Sequence, residues 1–478
     1  MSSLQEQKKD AVTVIHAGWI LVYEDGSLKS LKDHDLVIKG DKIEEIIPVR
    51  YKGHADVEID AQNGVALPGF INLHTHADPV LHGTTVDLYP PYDGERDPRI
   101  PIDLDTVFLY SVFFPMGNVV CGKLSVEERK ALTKLGLMGL VKGGSTTIFE
   151  QTSNGAELFA EAAIDLGARV YACDTYHSMD EMPVYDKGKV YYGEHRSAPF
   201  AGLEKAIELH KKYDGQADGR IHMALGPHAT DTCCPELLRA TRAAADKLGC
   251  KLTIHVAQSK SEMIHVQEAH GKTPVEYLEE NNFLGPDFIG AHGVYANNSD
   301  REILKKTGST IVHCATSFSK GGIPVPLKPF VDAGVNLGVG TDSFSVDYLI
   351  ELRTAGFIAK VNEEHPWVAT ARDMLTYGTV NGAKALGRTD IGRLASGAKA
   401  DVIVVNLNNL QNSPVLDPMR KLVYLSNHND VETVLIDGRL IVDKGRFITE
   451  DEEAVVEKAR PAFEKVWRLC EEAGLYSL

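Results

Sequence analysis

Two histidines spaced i, i+2 close the run LPGFINLHTH at 67–76, and the apolar stretch 65–73 leading to them reads as one buried strand. On a strand such residues face the same side, so His74 and His76 can offer two imidazoles to one ion. Alone, the pair reads equally well as two surface histidines. Three further residues change the balance: His255 within the apolar stretch 251–257, His292 at the end of 288–292, and Asp342 just after 336–340. Three histidines and one carboxylate can hold a divalent transition metal and leave a position open for water. Water held that way has a pKa near 7 and attacks as hydroxide. Asp342 can both touch the metal and take the water's proton.

Each of these residues falls at the C-terminal end of a candidate strand, where barrel enzymes carry their chemistry. The stretches 146–149, 169–173, 251–257, 288–292, 310–313 and 336–340 read as strands. Helices are expected between them. Ser125 and Glu128 form a capping box ahead of Leu132, Leu135 and Met138. Asn154 can cap a helix that Gly167 stops, Pro235 opens one that runs to Leu248, and Thr273-Pro274 opens another. Ser299 with Glu302 reads as a second capping box, and 326–333 as helical. Repeated β-then-α units with short connections imply a parallel sheet, and this many imply a (β/α)8 TIM-like barrel over 67–396. The flanks are β-rich: 13–15, 35–39, 42–47 and 58–60 before the barrel, and 400–406, 432–436 and 439–442 after it, with Gly40-Asp41 and Asp437-Gly438 as hairpin turns. Segments 1–66 and 397–478 are therefore assigned to one smaller β-sandwich domain. A closing helix over 453–473 should break or kink at Pro461. Residues 77–123 and 174–200, rich in Pro, Gly and aromatics, read as long irregular loops serving as lids or substrate walls.

Composition narrows the partners. The 478 residues are 43% hydrophobic and 24% charged, ordinary for a globular protein with a sizeable core. A formal net charge of −17 argues against nucleic acid and anionic membranes. Seven scattered cysteines without a CxxC fit a reduced, cytoplasmic setting. Met1 to Asp10 holds no apolar signal core, and no apolar run is long enough to span a bilayer.

The motifs LPGFINLHTH (67–76), KGGSTTIFE (142–150), GPHATDTCCPELL (226–238), LTIHVAQ (252–258), AHGVYANN (291–298), DAGVNLGVGTDS (332–343) and NGAKALGRTDIGRLASGAKADVIVVN (381–406) resemble the amidohydrolase superfamily. They cover most of the chain in the family's order. The chain is most similar to the branch of aminohydrolases and chlorohydrolases acting on triazines, guanine, cytosine and adenosyl-type compounds. That resemblance implies metal ligation by His74, His76, His255 and Asp342, a hydrogen bond from His292 to the attacking water, and contact of His228 with substrate. It implies zinc, with iron or cobalt as substitutes. One ion is favoured, and a second that uses His292 stays open. It also implies a small-molecule substrate and a homo-oligomer.

The chain departs from that branch at Gln258. The branch carries an acid three residues after the third metal histidine, where it shuttles a proton to the ring. A neutral amide hydrogen-bonds but does not transfer a proton in that way. Two other family positions also differ, being Ala315-Thr316-Ser317-Phe318 and Asp347 here. Catalysis is expected from Asp342, His292 and Gln258, with His228 and Gln258 binding substrate. The leading expectation is hydrolysis of a non-peptide carbon–nitrogen bond at a urea-, amide- or carbamate-like carbonyl. The alternatives are an aminohydrolase or chlorohydrolase of a nitrogen heterocycle and, remotely, a non-catalytic scaffold. Asp231 or Asp347 is the alternative source of the missing acid.

Overall fold

The computed structural model describes residues 10–78, 104–186 and 189–475. The N-terminal strands are β1 (Val12–Glu24), β2 (Ser27–Lys39), β3 (Lys42–Ile47) and β4 (Val57–Pro68). Strands β5 (Phe70–Thr75), β6 (Ser145–Thr152) and β7 (Arg169–Tyr176) follow, then a small hairpin of β8 (Val184–Asp186) and β9 (Lys189–Tyr191). Next come β10 (Ile221–Met223), β11 (Gly226–Pro227), β12 (Leu252–Val256), β13 (Phe288–His292), β14 (Thr310–His313) and β15 (Asn336–Val339). The chain ends with β16 (Val402–Asn406), β17 (Val431–Ile436), β18 (Arg439–Asp443) and β19 (Arg446–Phe447) before a helix over Glu452–Glu472.

The flanks build one sheet in the order β19-β18-β17-β16-β4-β1-β2-β3. It curls back on itself: Ile43 N donates to Ala398 O (2.9 Å) and Gly397 N to Ile43 O (2.8 Å), so the last strand meets the segment leading into β16. Alternating apolar residues fill the space inside, among them Ile15, Ile20, Leu36, Ile38, Val402 and Leu435. The turn at Asp437-Gly438 has φ of 50° and 71°, the left-handed pair that a two-residue hairpin requires.

Between the flanks, parallel strands form two ladders, β10-β7-β6-β5 with β11 beside β7, and β12-β13-β14-β15. Parallel bridges join them at both edges: Leu225 to Leu252 and Ala229 to His255 on one side, Thr75 to Asp342 on the other. At that second edge Asp342 N donates to His74 O (3.0 Å) and His76 N to Asp342 O (3.2 Å). The ladders thus close into a barrel, with β10 and β11 sharing one position. Ile71, Leu73, Phe149, Ile289 and Val312 belong to one buried cluster.

Several local expectations need correction. The apolar run across 65–73 is two strands, not one. β4 belongs to the curled sheet and β5 to the barrel, and Gly69 between them donates to Asp401 O (3.0 Å). The capping box expected at Ser299 and Glu302 is formed by Asn297 and Asp300, where asparagine accepts as well as serine would. Gly155, not Asn154, precedes the helix Ala156–Leu166, and Asn154 takes a left-handed φ of 63°. The C-terminal helix runs through Pro461 without interruption. Lys465 to Glu128 and Lys142 to Glu452 pin it to the helix Val126–Lys142, and Ala459, Ala462 and Val466 are buried along it.

Residues 104–123 are not an irregular loop but consecutive helical turns, Leu104–Phe108, a π-helical turn Leu109–Phe113, and Phe114–Lys123. Residues 79–103 of that proposed loop lie outside the described residues. In the second, β7 extends to Tyr176 and β8 and β9 add a hairpin.

Candidate metal centre and reaction cavity

The five residues singled out by strand-end placement converge. Ligand atoms of His74, His255 and His292 lie within 4.8 Å of one another, and so do those of His74, His76 and Asp342. His76 Nε2 is 3.6 Å and His74 Nε2 is 3.8 Å from Asp342 Oδ1, while His255 Nε2 is 3.4 Å from His76 Nε2.

The backbone fixes which nitrogen points inward. His76 Nδ1 sits 2.6 Å from Gln151 O, and His255 Nδ1 2.6 Å from His228 O. A carbonyl only accepts, so each Nδ1 carries the proton and donates it. Each Nε2 is therefore the acceptor nitrogen and faces the centre, the tautomer a metal needs. His74 and His292 are buried with both ring nitrogens lacking any hydrogen-bond partner. A buried polar atom without a partner is costly, and a cation here, with the water it carries, would engage one nitrogen each of His74 and His292. The donor set of imidazoles and one carboxylate suits a divalent transition ion.

Burial drives the imidazoles towards the neutral form: His74 and His255 fall well below the ordinary histidine range, and His292 falls to about 4. Burial alone would raise Asp342, but the facing His292, His74 and His76 outweigh it and hold the carboxyl below its usual range. Neutral donors around an anionic carboxylate are the ligand-competent states. Strain is concentrated here as well: Ala257, His292 and Asp342 all have left-handed φ, at 49°, 83° and 53°. Such values are unusual for non-glycine residues and cluster at functional sites. Asn72 locks the seam, donating to Thr341 Oγ1 (2.8 Å) and accepting from Thr341 N (3.1 Å).

A cavity opens over the centre. His228, Gln258, Ser317, Lys320 and Ser343 line it together with His76, His255, His292 and Asp342. The structure thus brings every expected site residue to one place, His74 forming its buried floor. The helical turns of 104–123 supply its roof. Phe113 ends the π-helical turn and Phe114 opens the next helix, and both rings reach the site: Phe113 meets His76 edge-on with ring centres 5.7 Å apart, and Phe114 meets His228 at 5.0 Å. Lys320 Nζ lies 4.1 Å from the centre of the Phe108 ring. Phe108 and Lys320 were not foreseen, whereas the run Phe113-Phe114-Pro115 within 77–123 pointed to a wall.

Neither alternative acid stands at the cavity. Asp347 caps the helix Tyr348–Asn362 and accepts from His428 N (2.9 Å). Asp231 is buried under the roof, accepting from Tyr110 (2.8 Å) and Tyr192 (2.9 Å). A further acid, Glu262, lies behind Gln258. It accepts from Gln258 N (2.6 Å), Ala257 N (2.9 Å) and the Thr230 hydroxyl. Burial and the nearby Asp231 push it up to about 8. Its sequence signal, Ser259-x-x-Glu262, is that of a helix cap, and Ser259 does cap that helix.

Barrel, curled sheet and imidazole nest define a metal-dependent hydrolase acting on carbon–nitrogen bonds other than peptides. The chain belongs to the amidohydrolase family, whose pattern matches residues 65–441. It is 33% identical over 442 residues to a 5'-deoxyadenosine deaminase of Methanosarcina barkeri, covering 91% of this chain and 94% of the relative. It is 34% identical over 436 residues to a 5-methylthioadenosine/S-adenosylhomocysteine deaminase of Thermococcus sibiricus, covering 90% and 93%. Among solved structures, a zinc-bound adenosine deaminase from Xanthomonas campestris superposes with a TM-score of 0.82 at 23% identity, over 96% of this chain and 99% of that one. A zinc complex of an atrazine chlorohydrolase from Arthrobacter aurescens gives 0.80 at 22%, over 94% and 100%. These two likenesses establish the shared fold.

Proposed function

We propose that this chain is an aminohydrolase that removes an amino group from a nitrogen heterocycle, with an aminopurine nucleoside as the kind of substrate. The observation that carries the reading is the imidazole nest with Asp342 at its edge, in a chain a third identical to deaminases of adenosine derivatives along nearly its whole length. His74, His76, His255 and Asp342 are the proposed ligands, and one zinc ion is favoured over iron, cobalt or a pair of ions. A divalent ion held there supplies the Lewis acidity that brings water's pKa near 7.

The chain's own residues do the rest. Asp342 takes the proton released as water attacks and carries it on its carboxyl to the departing amine. His292 orients the water, and His228 holds the substrate. Gln258 donates a hydrogen bond from its amide to a ring nitrogen, drawing electron density away from the carbon under attack. The aromatic roof keeps bulk water from competing. The barrel over 67–396 carries all of these groups, with the 1–66 and 397–478 segments as its supporting domain.

Gln258 favours a second reading. A urea-, amide- or carbamate-like carbonyl is polarised at its oxygen and needs no ring protonation, so a neutral amide suffices. The test is kcat/KM of zinc-loaded protein on adenosine-, guanine-, triazine- and cytosine-type amines against aryl ureas and carbamates, with a chlorotriazine included. The aminopurine nucleosides should rank first. Turnover confined to ureas and carbamates overturns the deaminase reading, and turnover confined to the chlorotriazine points to displacement of chloride.

A further inference from the structure

The end of β14 takes no part in the chemistry above. This strand lies between β13, which ends in His292, and β15, which leads to Asp342. The first residue past it is Cys314, fully buried. The Cys314 sulfur, a ring nitrogen of His292 and a carboxyl oxygen of Asp342 lie within 4.8 Å of one another. Ligand bonds of about 2.0–2.3 Å set the donor atoms of one tetrahedral ion about 3.5 Å apart, so small side-chain rotations close the three on an ion. The sulfur's contact with Val312 O, at 3.8 Å, is weak and holds it little. His292 is buried with both ring nitrogens unpartnered, and the water of the first ion would engage one of them. The other is left over.

Resting on the metal centre proposed above, we infer that His292, Cys314 and Asp342 form a second, inhibitory ion position that takes a soft divalent ion: cadmium, or zinc in excess. A thiolate favours such ions over magnesium, calcium and manganese. As the sulfur binds, the thiol's proton passes to solvent, and the ion gains one sulfur, one nitrogen and one oxygen ligand. His292 and Asp342 line the reaction cavity, so an ion reaches the position from there, and water in the cavity completes its shell. Asp342 has two carboxyl oxygens, one for each ion. The second ion stops turnover rather than aiding it. It engages at once the ring that orients the attacking water and the carboxyl that must carry the proton.

The test titrates zinc-loaded protein with cadmium chloride, zinc chloride and, as a hard-ion control, magnesium chloride. The readouts are hydrolysis of whichever substrate ranks first, bound metal by elemental analysis, and the ultraviolet sulfur-to-cadmium charge-transfer band. Cadmium beyond the first equivalent of metal should inhibit, and the band should saturate over the same range of concentration. Magnesium should do neither. Cys314→Ala and Cys314→Ser are made in parallel, so that a folding failure of either leaves the other. Both should keep the first ion, lose the band and weaken the inhibition by at least about tenfold, the scale on which even the outer partners of a metal site change affinity. The band is read without turnover, so it judges the position whatever the substrate proves to be. His74→Ala removes a ligand of the first ion alone and should keep the band, which separates the two positions: retention of the first ion in that variant overturns the ligand assignment above and leaves the second position standing. Wild-type protein without the band, inhibition of equal strength in wild type and both variants, or a second equivalent that raises the rate each overturns the inhibitory position.

Discussion

Gln258→Glu is the substitution on which the proposed chemistry turns. The side chain lines the reaction cavity with His255, His292 and Asp342, and its backbone N–H is bonded to Glu262 at 2.6 Å. A carboxyl introduced at 258 would be the third buried acid in a cluster with Glu262 and Asp231. Glu262 is already pushed up to about 8 by burial and by Asp231, and the same two causes would raise the newcomer. It would carry a proton near neutrality and could deliver it to a ring nitrogen. General acids contribute on the order of 10²–10⁴-fold, which corresponds to about 3–5 kcal/mol of barrier. Deamination of aminopurine nucleosides should rise towards that range, while hydrolysis of aryl ureas should change less than about fivefold. The assay is ammonia release in protein of equal zinc content, together with the pH profile. The new acid should add a descending limb at high pH, where it loses its proton. A rise below about fivefold on every aminoheterocycle, with no new limb, would refute the reasoning and mean that the protons already travel through Asp342 alone.

His74→Ala should abolish stable metal binding, read by elemental analysis, together with all hydrolysis; full activity in metal-free protein would sink the assignment. Asp342→Asn should keep the far-UV spectrum and lose on the order of 10²–10⁴-fold in kcat. Arg169→Met should destabilise the protein by about 3–5 kcal/mol in urea titrations. It would leave Asp401 and Asp437 buried without the guanidinium that bonds them at 3.1 and 2.6 Å, and a loss below about 1 kcal/mol would show that Lys399 and Arg220, which lie 3.3 and 3.5 Å from Asp437, suffice. Glu262, raised by burial and by Asp231, holds in the folded chain a proton that the unfolded chain has already released. Stability should therefore fall as pH rises from the ordinary carboxylate range to about 8, and Glu262→Gln should flatten that slope in pH-dependent melts.

The barrel was legible because its strands are short, apolar and punctuated. The expected 310–313 is β14 itself, and 336–340 overruns β15 by one residue. Strand-end placement was enough to gather His74, His76, His255, His292 and Asp342, because a parallel barrel sends all its C-terminal ends to one face. The division between β4 and β5 was hidden, since both are buried and the apolar run crosses Gly69 without a polar break. The helical roof was hidden for the opposite reason. Pro115, Gly117 and Gly122 read as loop residues, and only packing against the helices Val126–Lys142 and Glu452–Glu472 makes that segment helical. Glu262 was masked by doing two things at once, since the pattern that marks a helix cap also delivers a carboxylate to the turn behind Gln258.

The barrel's closing edge gives the metal centre a second consequence. β5 and the turn after β15 meet through Asn72 and Thr341, which lie 269 positions apart in the chain, and hydrogen bonds there run between 72–76 and 341–342. Bringing such distant segments together costs loop-closure entropy that local contacts do not return. His74 and His76 stand on one side of the edge and Asp342 on the other, so an ion bound by all three acts as a clasp across the longest loop in the barrel. Its binding free energy is then also free energy of folding, and it grows with the free-ion concentration relative to the dissociation constant. Stripped of the ion, the barrel should open first between its first and last strands, with amide exchange rising at Thr75 and Thr341 before the β12–β14 ladder. An enzyme built this way links its supply of metal to its resistance to proteolysis.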